Sequence, residues 1–305
     1  MQLNMNRTQQ MTPVRAWIEA ARPKTLPASI SPVIVGCALA YHDGCFQLLP
    51  SILCLLVALF AQIASNFAND YFDFKQGADT ADRLGPERAV AQGWITPAAM
   101  WKGTLLTLAL SCLCGCMLLF FAGWELIPVG IAIALGVIAY SAGPYPLAYH
   151  GLGDVCVLVF YGIIPVCFTY YVQAGGFSLL TFLLSLSLGL LSTNILIINN
   201  YRDYQQYKAA QKRTTIVLFV RRFGRMLYLL NGLLAILIAL PLTLEEQPWK
   251  LLIMALFFTL FIATWLEMGK REGRALNATL GHTARNVFLF ALLLAWLLFS
   301  HASAC

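Results

Sequence analysis

Nine apolar runs, most of them long enough to cross the hydrocarbon layer of a bilayer, follow one another along this chain with short polar stretches between. They lie at about residues 27–41, 50–67, 103–121, 126–140, 155–172, 179–198, 226–244, 251–266 and 287–301. A spanning helix needs roughly 20 mostly apolar residues. Inside the layer every backbone N–H and C=O must find its partner within the protein, which restricts spanning segments to helices or closed barrels. Because 59% of the residues are hydrophobic and only 11% charged, a soluble core of ordinary size cannot hide the apolar surface. The expected fold is all-α, a polytopic membrane protein of nine transmembrane helices forming a single domain over 1–305.

The basic residues give that bundle a direction, since Lys and Arg gather in short cytoplasmic loops. With nine spans and a cytoplasmic amino terminus, 19 of the 20 Lys and Arg fall on the cytoplasmic side and Lys250 alone lies opposite. Residues 1–25 are polar and proline-bearing, without the apolar core of a signal peptide, and read as a cytoplasmic segment. The simplest location is a bacterial inner membrane, multi-pass, with the working face cytoplasmic. The net charge of +6 reflects this topology and anionic headgroups, so membrane lipids are expected partners and nucleic acid is not. No obligate protein partner is inferred. Nine cysteines sit mostly inside apolar runs and read as small membrane-core residues rather than ligands or disulfides.

Chemistry is concentrated where two of the runs end. Asn69-Asp70-Tyr71-Phe72-Asp73-Phe74 and Asn199-Asn200-Tyr201-Arg202-Asp203-Tyr204 are near-repeats in a chain with only 14 acidic residues. They define acidic elements at 66–82 and 199–213, both on the cytoplasmic side, related as a pseudo-repeat. On a helix, Asn66, Asp70 and Asp73 are spaced to fall on one face, and Asn199 and Asp203 repeat the four-residue step. Carboxylates stacked at helix carboxyl ends oppose the macrodipole, so a bound cation is expected. Oxygen donors without nearby His or Cys favour Mg²⁺, which commonly bridges carboxylates to substrate phosphates. A diphosphate held at the mouth of an apolar bundle suggests a lipid diphosphate whose tail lies among the helices. The alternative is a solvated acidic loop balancing nearby Arg and Lys.

These elements, together with Arg22-Pro23-Lys24-Thr25-Leu26-Pro27, Asp82-Arg83-Leu84-Gly85-Pro86 and Gly151-Leu152-Gly153-Asp154, resemble the intramembrane aromatic prenyltransferases of the UbiA superfamily. Within it they are most similar to the 1,4-dihydroxy-2-naphthoate polyprenyltransferases of menaquinone synthesis. The resemblance covers nearly the whole chain. It implies a bundle around a central cavity, with polyprenyl diphosphate and an aromatic acid acceptor as substrates and demethylmenaquinone as product.

The resemblance also implies site roles. Asp70, Asp73, Asp79 and Asp203 would hold Mg²⁺; Asp70, Asp73, Asp203 and Lys24 would be catalytic. Substrate binding falls to Arg22, Asn66, Asn69, Arg83, Arg88, Tyr140, Tyr149, Asn199, Asn200, Arg202 and Lys212. Asp154 either caps a helix or orients the acceptor. One position departs from the family pattern: Tyr207 stands where a further aspartate is expected, followed by Gln211-Lys212 in place of a Gly-Lys pair. A phenol, with a pKa of about 10, is a poor Mg²⁺ ligand at neutral pH. Competing readings are a cation-coupled transporter, a prenyltransferase for 4-hydroxybenzoate or homogentisate, and an inactive lipid-binding paralogue.

Overall fold

The computed structural model describes residues 11–77, 84–244 and 247–302. Among the described residues the regular structure is entirely helical. A short helix α1 (Pro13–Ala21) leads through a turn into α2 (Leu26–His42), α3 (Leu48–Lys75), α4 (Pro97–Ala122) and α5 (Leu126–Ala139). A segment of α6 (Gly153–Leu158), a π-helical turn at Val159–Ile163 and α7 (Ile164–Ala174) runs on as one helical rod. Then come α8 (Leu179–Arg202), the short α9 (Tyr204–Ala209), α10 (Thr215–Ala239), α11 (Pro248–Lys270) and α12 (Leu276–Ala302).

Each expected apolar run is found as a helix, and most extend past the apolar stretch because their polar ends stay helical. Thus α3 continues through the whole Asn69–Phe74 element. Among the described residues, eight segments are long and apolar enough to cross a membrane. The run expected at 126–140 forms a helix of 14 residues, about 21 Å long at 1.5 Å per residue, short of the roughly 30 Å hydrocarbon layer. Helix starts follow local chemistry: the hydroxyls of Thr96, Ser178 and Thr214 accept from backbone N–H groups three residues on, at 3.3, 3.0 and 3.3 Å.

The largest core joins α2, α8, α10, α11 and α12 through Leu39, Leu188, Ile197, Tyr228, Phe261 and Phe290. Tyr228 stacks on Phe261 with centroids 5.5 Å apart. Polar side chains tie these helices together within the apolar core: Asn194 donates to the Tyr228 carbonyl at 3.0 Å and Asn286 donates to Thr264 at 2.9 Å. The outer surface carries Phe120 at 90% and Leu179 at 73% exposure, as expected of residues facing lipid. Helix α1 is two-faced: Ala16 and Ala20 pack with Phe67 and Met100, while Val14 and Ile18 stay exposed. That pattern suits a helix lying in the membrane interface.

The rod α6–α7 crosses α8 at a glycine pair. A Cβ placed on Gly162 would lie 2.4 Å from the Gly189 Cα, so the two backbones can meet only because both positions lack side chains. The π-helical turn lies at this crossing and includes Phe160 and Tyr161, whose rings face the interior cavity.

Candidate active site: a charged mouth on an apolar cavity

A cavity of about 550 Å³ opens inside the bundle, within the size range of small-molecule sites. On α3 its wall is formed by Cys54, Val57, Ala58, Ala61, Gln62, Ser65, Asn66, Asn69 and Asp73, one continuous helical face about 28 Å long at 1.5 Å per residue. The far part is apolar, with Val33, Leu119, Ile131, Phe168 and Val172. The near part is polar, with Asn199 and Asn200 of α8 joining Asn66, Asn69 and Asp73 of α3. Among the described residues, the charged ones in the lining are Arg22, Arg88, Lys212, Asp73 and Asp154.

Asp73 is the hub of the polar end and is 5% exposed. Its Oδ1 accepts from the Tyr149 hydroxyl at 3.0 Å and stands 3.8 Å from the Lys212 ammonium. Its Oδ2 accepts from Arg88 at 3.4 Å. Both cation distances exceed the 2.7–2.9 Å of a tight charge-assisted bond, so the carboxylate keeps capacity for another cation.

Lys212 is enclosed by aromatic faces. Its ammonium lies 4.4 Å from the Tyr149 ring centroid and 4.7 Å from that of Tyr207, within cation–π range. The backbone fixes this arrangement: Lys212 N–H donates to the Tyr207 carbonyl at 2.9 Å and Arg213 N–H to the Tyr149 carbonyl at 3.0 Å. Gln211 adopts a left-handed conformation, φ 55°, to make the turn. Arg22 does the same between α1 and α2 and donates to the Asn66 carbonyl at 3.4 Å, while Asn66 donates back to the Ala21 carbonyl at 2.9 Å. The mouth is thus braced against α3 from the amino-terminal side.

The other residues singled out in the sequence divide into distinct roles. Asp70 is not part of the cavity wall; its two oxygens accept from the Ala89 and Val90 N–H groups at 3.0 and 3.2 Å. That fastens the loop that carries Arg88 to Asp73. Asp70 and Asp73, on neighbouring turns of α3, thus both engage the 88–90 segment, and of the two it is Asp73 that lines the cavity, together with Asn66 and Asn69. Asp203 pairs with its neighbour: Arg202 Nε and Nη2 donate to the two carboxylate oxygens, each at 2.7 Å, with both side chains essentially unexposed. Arg202 also reaches Asn199 at 2.6 Å and Asn277 at 2.7 Å. Neither Arg202 nor Asp203 lines the cavity, and neither does Lys24, which is exposed. Asp79, Asp82 and Arg83 lie outside the described residues.

Tyr140 lines the cavity, and Ser141 beside it donates to Asn69. Thr25 and Gln62 also face the cavity, and Tyr161 donates to Gln62. Sequence reasoning passed over Gln62, although it lies one helical turn before Asn66 on the polar side of the same face. Among the described residues no three His, Cys, Asp or Glu side chains come together. The acidic donor at this mouth, among the described residues, is Asp73, with the amide oxygens of α3 and α8 beside it. Oxygen donors of this kind, next to a phosphate-bearing ligand, are chemistry that would suit Mg²⁺.

Comparison with known proteins places this architecture. Residues 29–293 match the UbiA prenyltransferase family. The 1,4-dihydroxy-2-naphthoate octaprenyltransferase of Escherichia coli strain K12 is 40% identical over 68% of this chain and 70% of its own length. The enzyme of that name from Mycobacterium tuberculosis strain H37Rv is 34% identical over 92% of this chain and 95% of its own. The structure of a UbiA homolog from Archaeoglobus fulgidus, bound to DMAPP and Mg²⁺, superposes with a TM-score of 0.67 at 16% identity, covering 95% of this chain and 99% of that one. The chain belongs to the UbiA prenyltransferase family.

Proposed function

We propose that this protein transfers a polyprenyl group from polyprenyl diphosphate to 1,4-dihydroxy-2-naphthoate with release of diphosphate and of the acceptor carboxylate as CO2, giving demethylmenaquinone in its quinol form. The reading rests on one observation: among the described residues, a mouth where Arg22, Arg88 and Lys212 lie with the Asp73 carboxylate opens into a long apolar cavity. The similarity to naphthoate octaprenyltransferases supports the acceptor. The reaction takes place in a bacterial inner membrane, with the charged mouth on the cytoplasmic side.

An allylic diphosphate carries up to three negative charges, which Arg22, Arg88 and Lys212 match. Asp73, with the Asn69 amide on the same face, would hold a Mg²⁺ ion. Bound there, the ion supplies electrophilic neutralisation of the leaving group. The prenyl tail lies along Val33, Leu119, Phe168 and Val172, with water excluded. Arg88 and Lys212 stabilise charge on the diphosphate oxygen as the allylic carbon–oxygen bond breaks, the largest electrostatic contribution expected from the protein. The rings of Phe160 and Tyr161 shield the allylic cation, and a ring carbon of the acceptor attacks it. Asp203 and Arg202 act from behind the wall, holding the end of α8 so that Asn199 and Asn200 face inward.

Purified protein in detergent is incubated with polyprenyl diphosphate and either 1,4-dihydroxy-2-naphthoate, 4-hydroxybenzoate or homogentisate, with Mg²⁺ or EDTA. Prenylated, decarboxylated product from the naphthoate alone, abolished by EDTA, is the expected result. Absence of product with every acceptor would overturn the reading.

A further inference from the structure

One buried charge in the cavity has no part in the diphosphate site. Asp154 lines the cavity at the start of the rod α6–α7. Neither of its carboxylate oxygens is solvent-exposed, and neither has a hydrogen-bond partner. It does not cap its helix: the residue preceding α6 is Leu152, and no side chain caps that end. The Thr215 hydroxyl is near enough to interact with the carboxylate, but its hydrogen bond runs to the Gly151 carbonyl, at 3.4 Å. No Lys or Arg forms an ion pair with Asp154 among the described residues.

A buried carboxylate without donors is costly, since burial removes hydration and nothing replaces it. An unpaired ionisable group within a membrane bundle is therefore a functional candidate on physical grounds. In its ionised form a carboxylate only accepts, so the partner that would satisfy it is a donor. The surroundings specify its shape. Tyr140 stands close by, since a Cβ on Gly153 would lie 3.6 Å from its hydroxyl, and Phe160 and Tyr161, further along the same rod, line the same cavity. Aromatic walls beside a lone acceptor fit a flat ring that carries a hydroxyl.

We propose that Asp154 is the acceptor-binding residue: its carboxylate accepts a hydrogen bond from a ring hydroxyl of the aromatic acceptor, and so orients the ring towards the allylic carbon. The assignment rests on the prenyltransferase reading above. Polarising that O–H bond also raises electron density in the ring at the moment of attack, so Asp154 contributes to both binding and turnover. The capping role that the Gly-Leu-Gly-Asp stretch suggested is replaced by this one.

The test separates the hydroxyl from the rest of the acceptor. Binding of 1,4-dihydroxy-2-naphthoate and of 1,4-dimethoxy-2-naphthoate to the full-length protein in detergent is measured by tryptophan fluorescence quenching, without prenyl donor. Wild-type protein should prefer the dihydroxy compound by on the order of 10- to 100-fold, as expected for a hydrogen bond to a charged group. The isosteric Asp154→Asn variant should lose most of that preference, raise the KM for the acceptor and lower kcat, with the KM for polyprenyl diphosphate within about twofold of wild type. Equal affinity of wild-type protein for the two compounds would overturn the assignment whether or not the variant folds. A variant that keeps the preference, or that loses Mg²⁺ affinity while binding the naphthoate normally, would also overturn it. Failure of wild-type protein to bind either naphthoate would instead remove the prenyltransferase reading, and this assignment with it.

Discussion

The two acidic near-repeats end in opposite electrostatic states. In the first, α3 continues to Lys75, so Asp73 remains on the helix with its carboxylate on the cavity face, loosely held by Tyr149, Arg88 and Lys212. In the second, α8 stops at Arg202, and Asp203 at the cap, φ −90° and ψ 12°, is closed by its own neighbour in a bidentate pair. Where the second element would offer another acid, Tyr207 presents a ring to the Lys212 ammonium. A duplicated pattern has thus been divided: one copy presents an anion, and the other supplies a fixed cation and a structural clamp. The same residue types yield different chemistry because the helix ends at different points relative to the motif.

The largest expected effect breaks the second copy. Asp203→Ala leaves Arg202 buried without its partner, which should cost about 3–5 kcal/mol of stability, read as a lowered Tm in detergent. A wild-type Tm would mean that the pair is not the clamp described. In the first copy, Asp73→Asn should leave Tm near wild type and lower turnover by about 10²–10³-fold. Near-normal turnover would remove Asp73 from the centre of the site. The smallest effect sharpens the boundary between the copies. Tyr207→Leu removes one aromatic face from Lys212, a loss of about 1–2 kcal/mol, and should raise the KM for polyprenyl diphosphate by roughly tenfold while the acceptor KM stays constant. An unchanged diphosphate KM would show that the ring does not hold the ammonium in place.

Much of the fold was legible because bilayer spans leave a strong periodicity-free signal, and each expected run became a helix. The run at 126–140 is the exception in length: its apolar stretch has no polar helical extension, and α5 remains 14 residues long. The near-repeats also located the polar end of the cavity. Which carboxylate faces it was not legible from spacing. Relative to Asn66, a 3.6-residue period puts Asp70 about 40° to one side and Asn69 about 60° to the other, too close for periodicity to decide. The choice is made by the backbone N–H groups of Ala89 and Val90, which capture Asp70 from a loop distant in sequence. The Arg202–Asp203 pair was hidden for a related reason. Adjacent residues do not face each other along a regular helix, and only the helix end at Arg202 lets them meet. Lys212 was legible as a cation, but its position between two tyrosines depends on the left-handed turn at Gln211, which no motif announces.

The most direct test of this division counts ions. Mn²⁺ binding is followed by electron paramagnetic resonance in the presence of an unreactive polyprenyl thiodiphosphate, for wild-type protein and for Asp73→Asn and Tyr207→Asp variants. The division of labour predicts one tightly bound ion per chain in wild type, none in Asp73→Asn, and a second weaker ion in Tyr207→Asp. Two equivalent ions in wild-type protein, or an ion retained at full affinity in Asp73→Asn, would contradict it.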